Sequence, residues 1–180
     1  IMDVNNNPNN PIINIRAYSD NPQVVSDYGV AFIRGVQDRG AIACPKHFPG
    51  HGNTSTDSHT SLPVIPGTKE ELEKMELYPF REAIKAGAKM VMVGHLAIPG
   101  LDSTGTPSSH SKIISTDLLK DEMGFDGILV TDGLEMGSIT NNFTTGEACI
   151  RAIEAGSDIL LLPLNVDKAI NLIYEAVLDG

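Results

Sequence analysis

Tryptophan is absent from this sequence, cysteine occurs only twice, and no apolar run approaches the about 20 residues that a membrane-spanning helix requires. Cys44 and Cys149 are too few and too far apart to predict a disulfide framework or a structural zinc site. The first residues also carry no signal-peptide pattern. From these absences we predict no membrane segment.

Basic residues are scarce as well. The chain has 13 Lys and Arg against 23 Asp and Glu, which gives a formal net charge of -10. The few cations are scattered, whereas a nucleic-acid surface needs them clustered, so we expect no nucleic-acid partner. A length of 180 residues, 41% of them hydrophobic and 20% charged, indicates one globular domain over residues 1–180.

Short apolar segments alternate with longer amphipathic ones along the chain, which predicts strands alternating with helices. The predicted strands are residues 1–4, 41–44, 90–93, 128–131 and 159–162. The predicted helices run from Pro22 towards Gly40, from the capping box at Thr68 to about residue 86 with a break near Pro79, and over residues 113–123, 147–155 and 166–178. Strands as continuously apolar as these are typical of a parallel sheet covered on both faces.

Polar side chains lie at or just after the carboxyl ends of four of the predicted strands, namely Asp3, Lys46 with His47, His95 and Asp132. A doubly wound sheet binds ligands at one crevice, whereas a barrel of βα units gathers residues from many strand ends. We therefore predict the α/β class and a TIM-like (β/α) barrel. Five units are too few to close one, so we expect a truncated fragment that lacks the first barrel units and the C-terminal close.

A fragment of this kind has two further consequences. Open strand edges invite association, so self-association of the truncated barrel is expected to be a hazard. A cytoplasmic location is favoured, and a periplasmic or secreted one stays open because any leader would lie upstream of Ile1.

Residues 46–59 contain three histidines, a lysine and an aspartate in a stretch too rich in glycine and proline for a helix. This composition indicates an active-site loop, because binding and catalytic residues concentrate on loops held by a rigid scaffold. Asp57 could bond His59 and fix its tautomer, which suits a proton shuttle at neutral pH. Taken alone, an Asp-x-His of this kind is more often a solvated polar loop.

Asp132 is the first acidic residue after its predicted strand. Cleavage of a glycosidic bond needs such a carboxylate beside the transition state, together with a proton donor for the leaving oxygen. A helix N-cap or a strand-end aspartate bonded to backbone amides is an equally good interpretation from spacing alone.

Lys46 and His47 leave a strand together, and both can donate hydrogen bonds to sugar hydroxyls. The alternative is that one of them pairs with a buried acid. A zinc hydrolase that uses His47, His51, His59 and Asp132 is a less favoured alternative, because Pro49 and Gly50 forbid a helix between the first two histidines.

Taken together, these motifs resemble the signature regions of glycoside hydrolase family 3, in its β-N-acetylglucosaminidase branch. The similarity rests on residues 46–59 followed by Leu62-Pro63, and on residues 130–136. It continues in residues 3–8, 14–16, 76–80, 92–95 and 155–158, in order over nearly the whole chain.

The resemblance implies a TIM-like barrel in which Asp132 is the nucleophile of a retaining reaction. It implies that His59 is the acid/base, with Asp57 as its partner. Arg16, Lys46 and His47 fall on sugar-binding positions. The implied substrates carry terminal β-linked N-acetylglucosamine, as cell-wall muropeptides and chitin oligomers do, and no metal or organic cofactor is implied.

Departures from the family pattern are few: Asn53 and Gly133 replace the commoner Asp and Ala, and Ala17-Tyr18 follows Arg16 where Ser-Phe is usual. A further substrate-binding aspartate of the family lies in the part of the barrel that this chain lacks, so the fragment alone is expected to be inactive. A phosphorylase and a non-catalytic sugar-binding barrel stay open as alternatives. The presence of Asp132, Asp57 and His59 argues against the latter.

Overall fold

Two parallel strands form the centre of the sheet, β1 (Met90–Val93) and β2 (Ile128–Thr131). They pair in register, with Met90 opposite Ile128 and Val93 opposite Thr131. Val91 and Leu129 are fully buried, as expected for strands covered on both faces. This computed structural model describes all residues, 1–180.

Three further segments extend the sheet without forming regular strands. Residues 45–48 lie beside β1, where the N–H of Met92 donates to Pro45 O at 3.0 Å and the N–H of Phe48 donates to Met92 O at 2.8 Å. Residues 1–4 follow them through one bond from Met2 N to Lys46 O, and Ile159 bonds β2 on the other side. The spatial order therefore follows the chain order, as it does in a (β/α) barrel.

The predicted strands at residues 1–4, 41–44 and 159–162 are thus wrong as regular strands, although the first and third lie at the predicted places in the sheet. Sheet contacts begin only at Pro45, just beyond the second segment, and Pro45 and Pro49 supply no backbone donors there. Leu162 adopts a φ of 48°, which ends the extended segment that begins at Ile159.

Helices cover the sheet, and the predicted ones are confirmed to within a few residues. The α-helices are α1 (Pro22–Gln37), α2 (Lys69–Lys74), α3 (Tyr78–Lys85), α4 (Gly137–Thr140), α5 (Thr145–Glu154) and α6 (Val166–Asp179). Residues Ile113–Glu122 form a π-helix, and Asn14–Arg16 and Ser108–His110 are 3₁₀ turns. The apolar pattern predicted the 113–123 helix but not its wider winding.

Capping residues set the beginnings of several helices. The side chain of Thr68 accepts from Glu71 N and the Glu71 carboxylate accepts from Thr68 N, which confirms the predicted capping box. A second box, of Thr144 with Glu147, begins α5 earlier than predicted. Each cap of this kind stabilises a helix by about 1 kcal/mol.

The main hydrophobic core lies between the sheet, α1, α3 and the π-helix, and it includes Phe48, Phe80, Leu119 and Leu129. Phe48 and Phe80 meet edge to face with their ring centroids 5.3 Å apart. This packing holds the segment that ends in the histidine-rich loop against β1.

The outer faces at both ends of the sheet carry exposed apolar side chains. Helix α6 buries only Ala169 and exposes Ile170 and Tyr174, while α1 exposes Phe32 at the other end. Self-association of these faces stays a prediction. None of the helices combines the length and the apolar character needed to cross a membrane.

Candidate active site

Asp132 lies directly after β2, where its N–H donates to Val93 O at 2.8 Å. Its Oδ1 accepts from the N–H of Gly133 at 2.9 Å, and its side chain is 18% exposed. The second oxygen, Oδ2, faces Nε2 of His47 at 3.8 Å. Backbone amides therefore satisfy only one carboxylate oxygen, and the other remains available for chemistry.

His47 is held from behind by the buried carboxylate of Asp3. The ring Nδ1 of His47 lies 2.8 Å from Asp3 Oδ2, and the N–H groups of His47 and His51 donate to Asp3 Oδ1 at 3.1 and 2.7 Å. Burial by itself would raise the pKa of Asp3, but the neighbouring His47 and His51 hold that pKa below its usual range. Asp3 is therefore an anion that fixes both histidines.

His51 continues this cluster away from Asp132. Its Nε2 lies 3.0 Å from Ser58 Oγ, and its ring meets that of His47 edge to face with a centroid distance of 5.8 Å. Burial lowers the pKa of His51. The ring is thus favoured in its neutral form, and it connects the two ends of the histidine-rich loop.

His95 supports the chain just after Asp132. Its Nε2 donates to Gly133 O at 3.0 Å, which leaves Nδ1 to accept from Ser109 Oγ at 2.8 Å. Burial lowers the pKa of His95, which keeps the ring neutral in this arrangement. The sequence located His95 at a strand end, but no sequence signal indicated its partner Ser109, which lies in the 3₁₀ turn Ser108–His110.

His59 and Asp57 form a separate pair on the loop surface. Asp57 Oδ1 accepts from the N–H of His59 and lies 2.8 Å from its Nδ1, while the side chains are 34% and 60% exposed. Partial burial acts to raise the pKa of Asp57, but its hydrogen bonds with His59 lower it overall. The ring Nε2 of His59 is left without an intramolecular partner.

The backbone of this pair is attached to helix α4. Gly137 N donates to His59 O at 3.0 Å and Ser138 N donates to Ser58 O at 3.2 Å. A Cβ at Gly137 would lie 2.6 Å from His59 O, so the close approach requires glycine. Because α4 begins five residues after Asp132, the loop and the end of β2 are held in one unit.

The other predicted site residues lie outside this hydrogen-bonded cluster. Arg16 is exposed and donates from Nη1 to Ile12 O at 3.0 Å. Lys46 is half-buried and joins His47 through a cis peptide bond. The structure thus brings His47 and Asp132 together, and it keeps the charged ends of Arg16 and Lys46 out of hydrogen-bond contact with them.

A zinc centre built from the three loop histidines and Asp132 finds no geometric support. No group of three or more His, Cys, Asp or Glu side chains is arranged to hold a metal ion. His47 and His51 each direct a ring nitrogen to Asp3 or Ser58 instead. What the arrangement offers is a strand-end carboxylate and an exposed, carboxylate-paired imidazole, the two kinds of group that glycosidic bond cleavage requires.

Known proteins resemble the chain over its whole length. The model of the glycosyl hydrolase family 3 N-terminal domain matches residues 1–180. Beta-hexosaminidase A of Pseudoalteromonas piscicida is 40% identical over 176 residues, which cover 92% of this chain and 29% of that protein.

Solved structures agree with this similarity. A glycoside hydrolase family 3 β-N-acetylglucosaminidase from Paenibacillus sp. str. FPU-7 is 41% identical with a TM-score of 0.97, over 99% of this chain and 35% of that one. A beta-glucoside phosphorylase is 28% identical with a TM-score of 0.95, over 99% of this chain and 34% of its own. The chain thus spans about a third of the length of these proteins.

Proposed function

The chain belongs to glycoside hydrolase family 3 and contains part of its TIM-like barrel, and on this premise we propose that the full-length protein is a retaining β-N-acetylglucosaminidase. The observation that carries the proposal is the environment of Asp132. One of its oxygens is held by Gly133 N, while the other faces His47 at the carboxyl end of the sheet. An oriented carboxylate with one unbonded oxygen has the form that a glycosidase nucleophile needs.

In the proposed reaction, Asp132 Oδ2 attacks the anomeric carbon and the bond to the leaving oxygen breaks. That oxygen takes the proton from Nε2 of the protonated His59 ring. Water then attacks the glycosyl-enzyme and gives a proton back to the same nitrogen, which restores Asp132 and the configuration of the sugar. Asp57 supports this role because it bonds Nδ1 and leaves Nε2 for proton transfer.

Arg16, Lys46 and His47 are proposed to bind the sugar. His47 is the best supported of the three, because its Nε2 faces Asp132. Arg16 is exposed, so it can turn to a hydroxyl group when the rest of the barrel surrounds the site. We propose terminal β-linked N-acetylglucosamine of muropeptides or chitin oligomers as the substrate. The activity that the Paenibacillus relative carries in its name supports this choice, and muropeptide cleavage would belong to peptidoglycan recycling.

The test is turnover of an aryl β-N-acetylglucosaminide beside the matching β-glucoside, by the full-length protein and by residues 1–180 alone. We expect the full-length protein to prefer the N-acetylglucosaminide and the isolated chain to be inactive. Equal turnover of both sugars by the full-length protein would contradict the proposed substrate. If the full-length protein turns over neither sugar, the non-catalytic barrel is favoured.

A phosphorylase is the second candidate, supported by the similarity to the beta-glucoside phosphorylase structure. A neutral imidazole repels incoming phosphate less than a second carboxylate does, so an acid/base of the His59 type is compatible with release of the sugar to phosphate. Product analysis in phosphate buffer distinguishes the two reactions. Free N-acetylglucosamine supports the hydrolase, and its 1-phosphate supports the phosphorylase.

A further inference from the structure

We propose that Asp3 is a positioning residue for this reaction. Its carboxylate fixes the tautomer of His47, and this tautomer sets whether Nε2, the ring nitrogen facing Asp132, accepts a hydrogen bond from the substrate or donates one to it. The inference rests on the proposed function for its catalytic meaning. Nothing in the sequence pattern gave Asp3 a role beyond its place at a strand end.

The geometry supports a fixed His47 ring, because both carboxylate oxygens of Asp3 are engaged in hydrogen bonds. Oδ1 accepts from the N–H groups of His47 and His51, and Oδ2 lies 2.8 Å from His47 Nδ1. The side chain is 0% exposed, so no water replaces these partners. Asp3 therefore fixes the ring of His47 and the backbone of the loop that follows it.

The charge of Asp3 determines which ring nitrogen of His47 carries the proton. Burial alone would raise the pKa of the carboxyl, but its contacts with His47 and His51 lower it overall. An ionised carboxylate can only accept, so Nδ1 of His47 must carry the proton of the shared bond.

A proton fixed on Nδ1 determines the hydrogen-bonding role of the other ring nitrogen, Nε2. Nε2 of His47 lies 3.8 Å from Asp132 Oδ2, which is too long for a hydrogen bond. Nε2 is therefore free to bond the substrate. While Nδ1 carries the single proton of the ring, Nε2 is an acceptor for a sugar hydroxyl. If Asp3 did not fix the proton on Nδ1, the proton could move to Nε2, and the ring would offer a donor there instead.

The substitution Asp3→Asn separates this role from packing. Asparagine has nearly the same shape and keeps an oxygen for the two backbone N–H groups, but its NH₂ faces Nδ1 of His47 and forces the ring proton onto Nε2. In the full-length enzyme we expect kcat/KM to fall about 10²-fold, by analogy with the roughly 10- to 100-fold that carboxylates orienting a metal-bound histidine contribute. Unchanged kcat/KM would overturn the proposal.

Asp102→Asn is the matched control. Asp102 is also buried, at 4% exposure, and accepts from Ser111 Oγ and Thr104 N in a loop that shares no hydrogen bond with Asp3 or His47. We expect this variant to keep kcat/KM within about twofold, since it loses comparable buried contacts without touching the His47 ring. Equal losses in both variants would show that Asp3 acts only through folding, which would overturn the proposal.

The decisive readout is the tautomer itself, measured by ¹⁵N NMR of full-length protein labelled in histidine, with the His47 signals assigned by their loss in His47→Gln. We expect a protonated Nδ1 in the wild type and, in Asp3→Asn, a proton on Nε2. A neutral wild-type ring protonated at Nε2 would overturn the assignment even if the variant does not fold. Because this measurement needs no turnover, a protonated Nδ1 in a protein without glycosidase activity would refute the proposed function and leave the contact between Asp3 and His47 supported.

Discussion

The two regions that carry the proposed catalytic groups are built in opposite ways. The Asp132 region is mostly buried: the side chain of His47 is 6% exposed, Asp3 is fully enclosed, and the Gly133 amide holds Asp132, the proposed nucleophile. The His59 region is a surface loop in which the ring is 60% exposed and depends on one carboxylate, Asp57.

The difference corresponds to the work proposed for each group. A nucleophile must meet one carbon atom with little freedom, so it benefits from a rigid strand end and many fixed neighbours. A proton shuttle must exchange protons with solvent and serve two successive leaving or attacking oxygens, which exposure permits. Removing groups from each region in turn tests whether this division is real.

The largest effect is expected at the buried end. Asp132→Ala in the full-length protein should lower kcat at least about 10⁴-fold, because the proposed covalent intermediate can no longer form. Steady-state turnover of an aryl β-N-acetylglucosaminide measures this. Asp126→Ala, at an exposed position before β2, is the control and should leave kcat unchanged. Activity near normal in Asp132→Ala would contradict the nucleophile assignment.

The exposed end should show a loss that depends on the leaving group. His59→Ala should lower turnover of natural substrates about 10²- to 10⁴-fold, the range for removal of a general acid. An aryl glycoside with a good leaving group should lose far less, because its oxygen departs without a proton. The ratio of the two losses is the measured quantity, and a ratio near one would count against the assignment. Asp57→Asn should give the same pattern in weaker form.

Acid should destabilise the folded protein through the buried His110. This ring is 7% exposed, forms no hydrogen bond, and packs edge to face on Phe143 at 4.9 Å. Burial first, then His95 and Arg151, lower its pKa from 6.5 to about 4. Below pH 6.5, His110 therefore binds a proton in the unfolded chain but stays neutral in the folded one. The free energy of unfolding falls as the pH drops towards 4.

The expected contribution is about 3 kcal/mol at pH 4 relative to pH 7. Unfolding in denaturant across this range measures it, with the non-titrating variant His110→Gln as the comparison. Other buried histidines act in the same direction, but their share is common to both proteins and cancels. Parallel pH curves for the two proteins would show that His110 contributes nothing.

The smallest effect is expected where the two regions meet. Ser58 Oγ lies 3.0 Å from His51 Nε2 and is the hydrogen-bond link from the exposed loop to the buried cluster. Ser58→Ala should cost about 1 kcal/mol of stability and a few-fold in kcat/KM, the value of one buried hydrogen bond. Ser61→Ala, at an exposed position of the same loop, is the control. A loss as large as that of His59→Ala would mean that the regions do not act separately.

Local sequence patterns were sufficient for the two central strands and for the helices other than the short α4, which was not predicted. Helix α1 begins at Pro22 and α2 begins after Thr68 as predicted, because a cap needs only residues three or four positions apart. The edge segments failed as strands because strand formation depends on a partner. Residues 1–4 and 159–162 have the composition of strands, yet each bonds one neighbour at only a few atoms.

The candidate site divides in the same way. The pairing of Asp57 with His59 was predictable, since two residues of separation on a turning backbone bring the side chains together. The contact of Asp3 with His47 spans 44 residues and that of His95 with Gly133 spans 38. No local pattern specifies such contacts, although the rule that parallel strands gather their carboxyl ends predicted the edge on which they occur.

By itself, the sequence determined the family, the alternation of strands and helices, and the chemical types available at one edge of the sheet, because each depends on residue identity and short-range spacing. Only the tertiary structure decided which of those groups is buried, which nitrogen of each imidazole is engaged, and which oxygen of Asp132 is left unbonded. Burial and hydrogen bonding depend on neighbours from distant segments. Those neighbours set the charge of Asp3 and the orientation of the His47 and His95 rings.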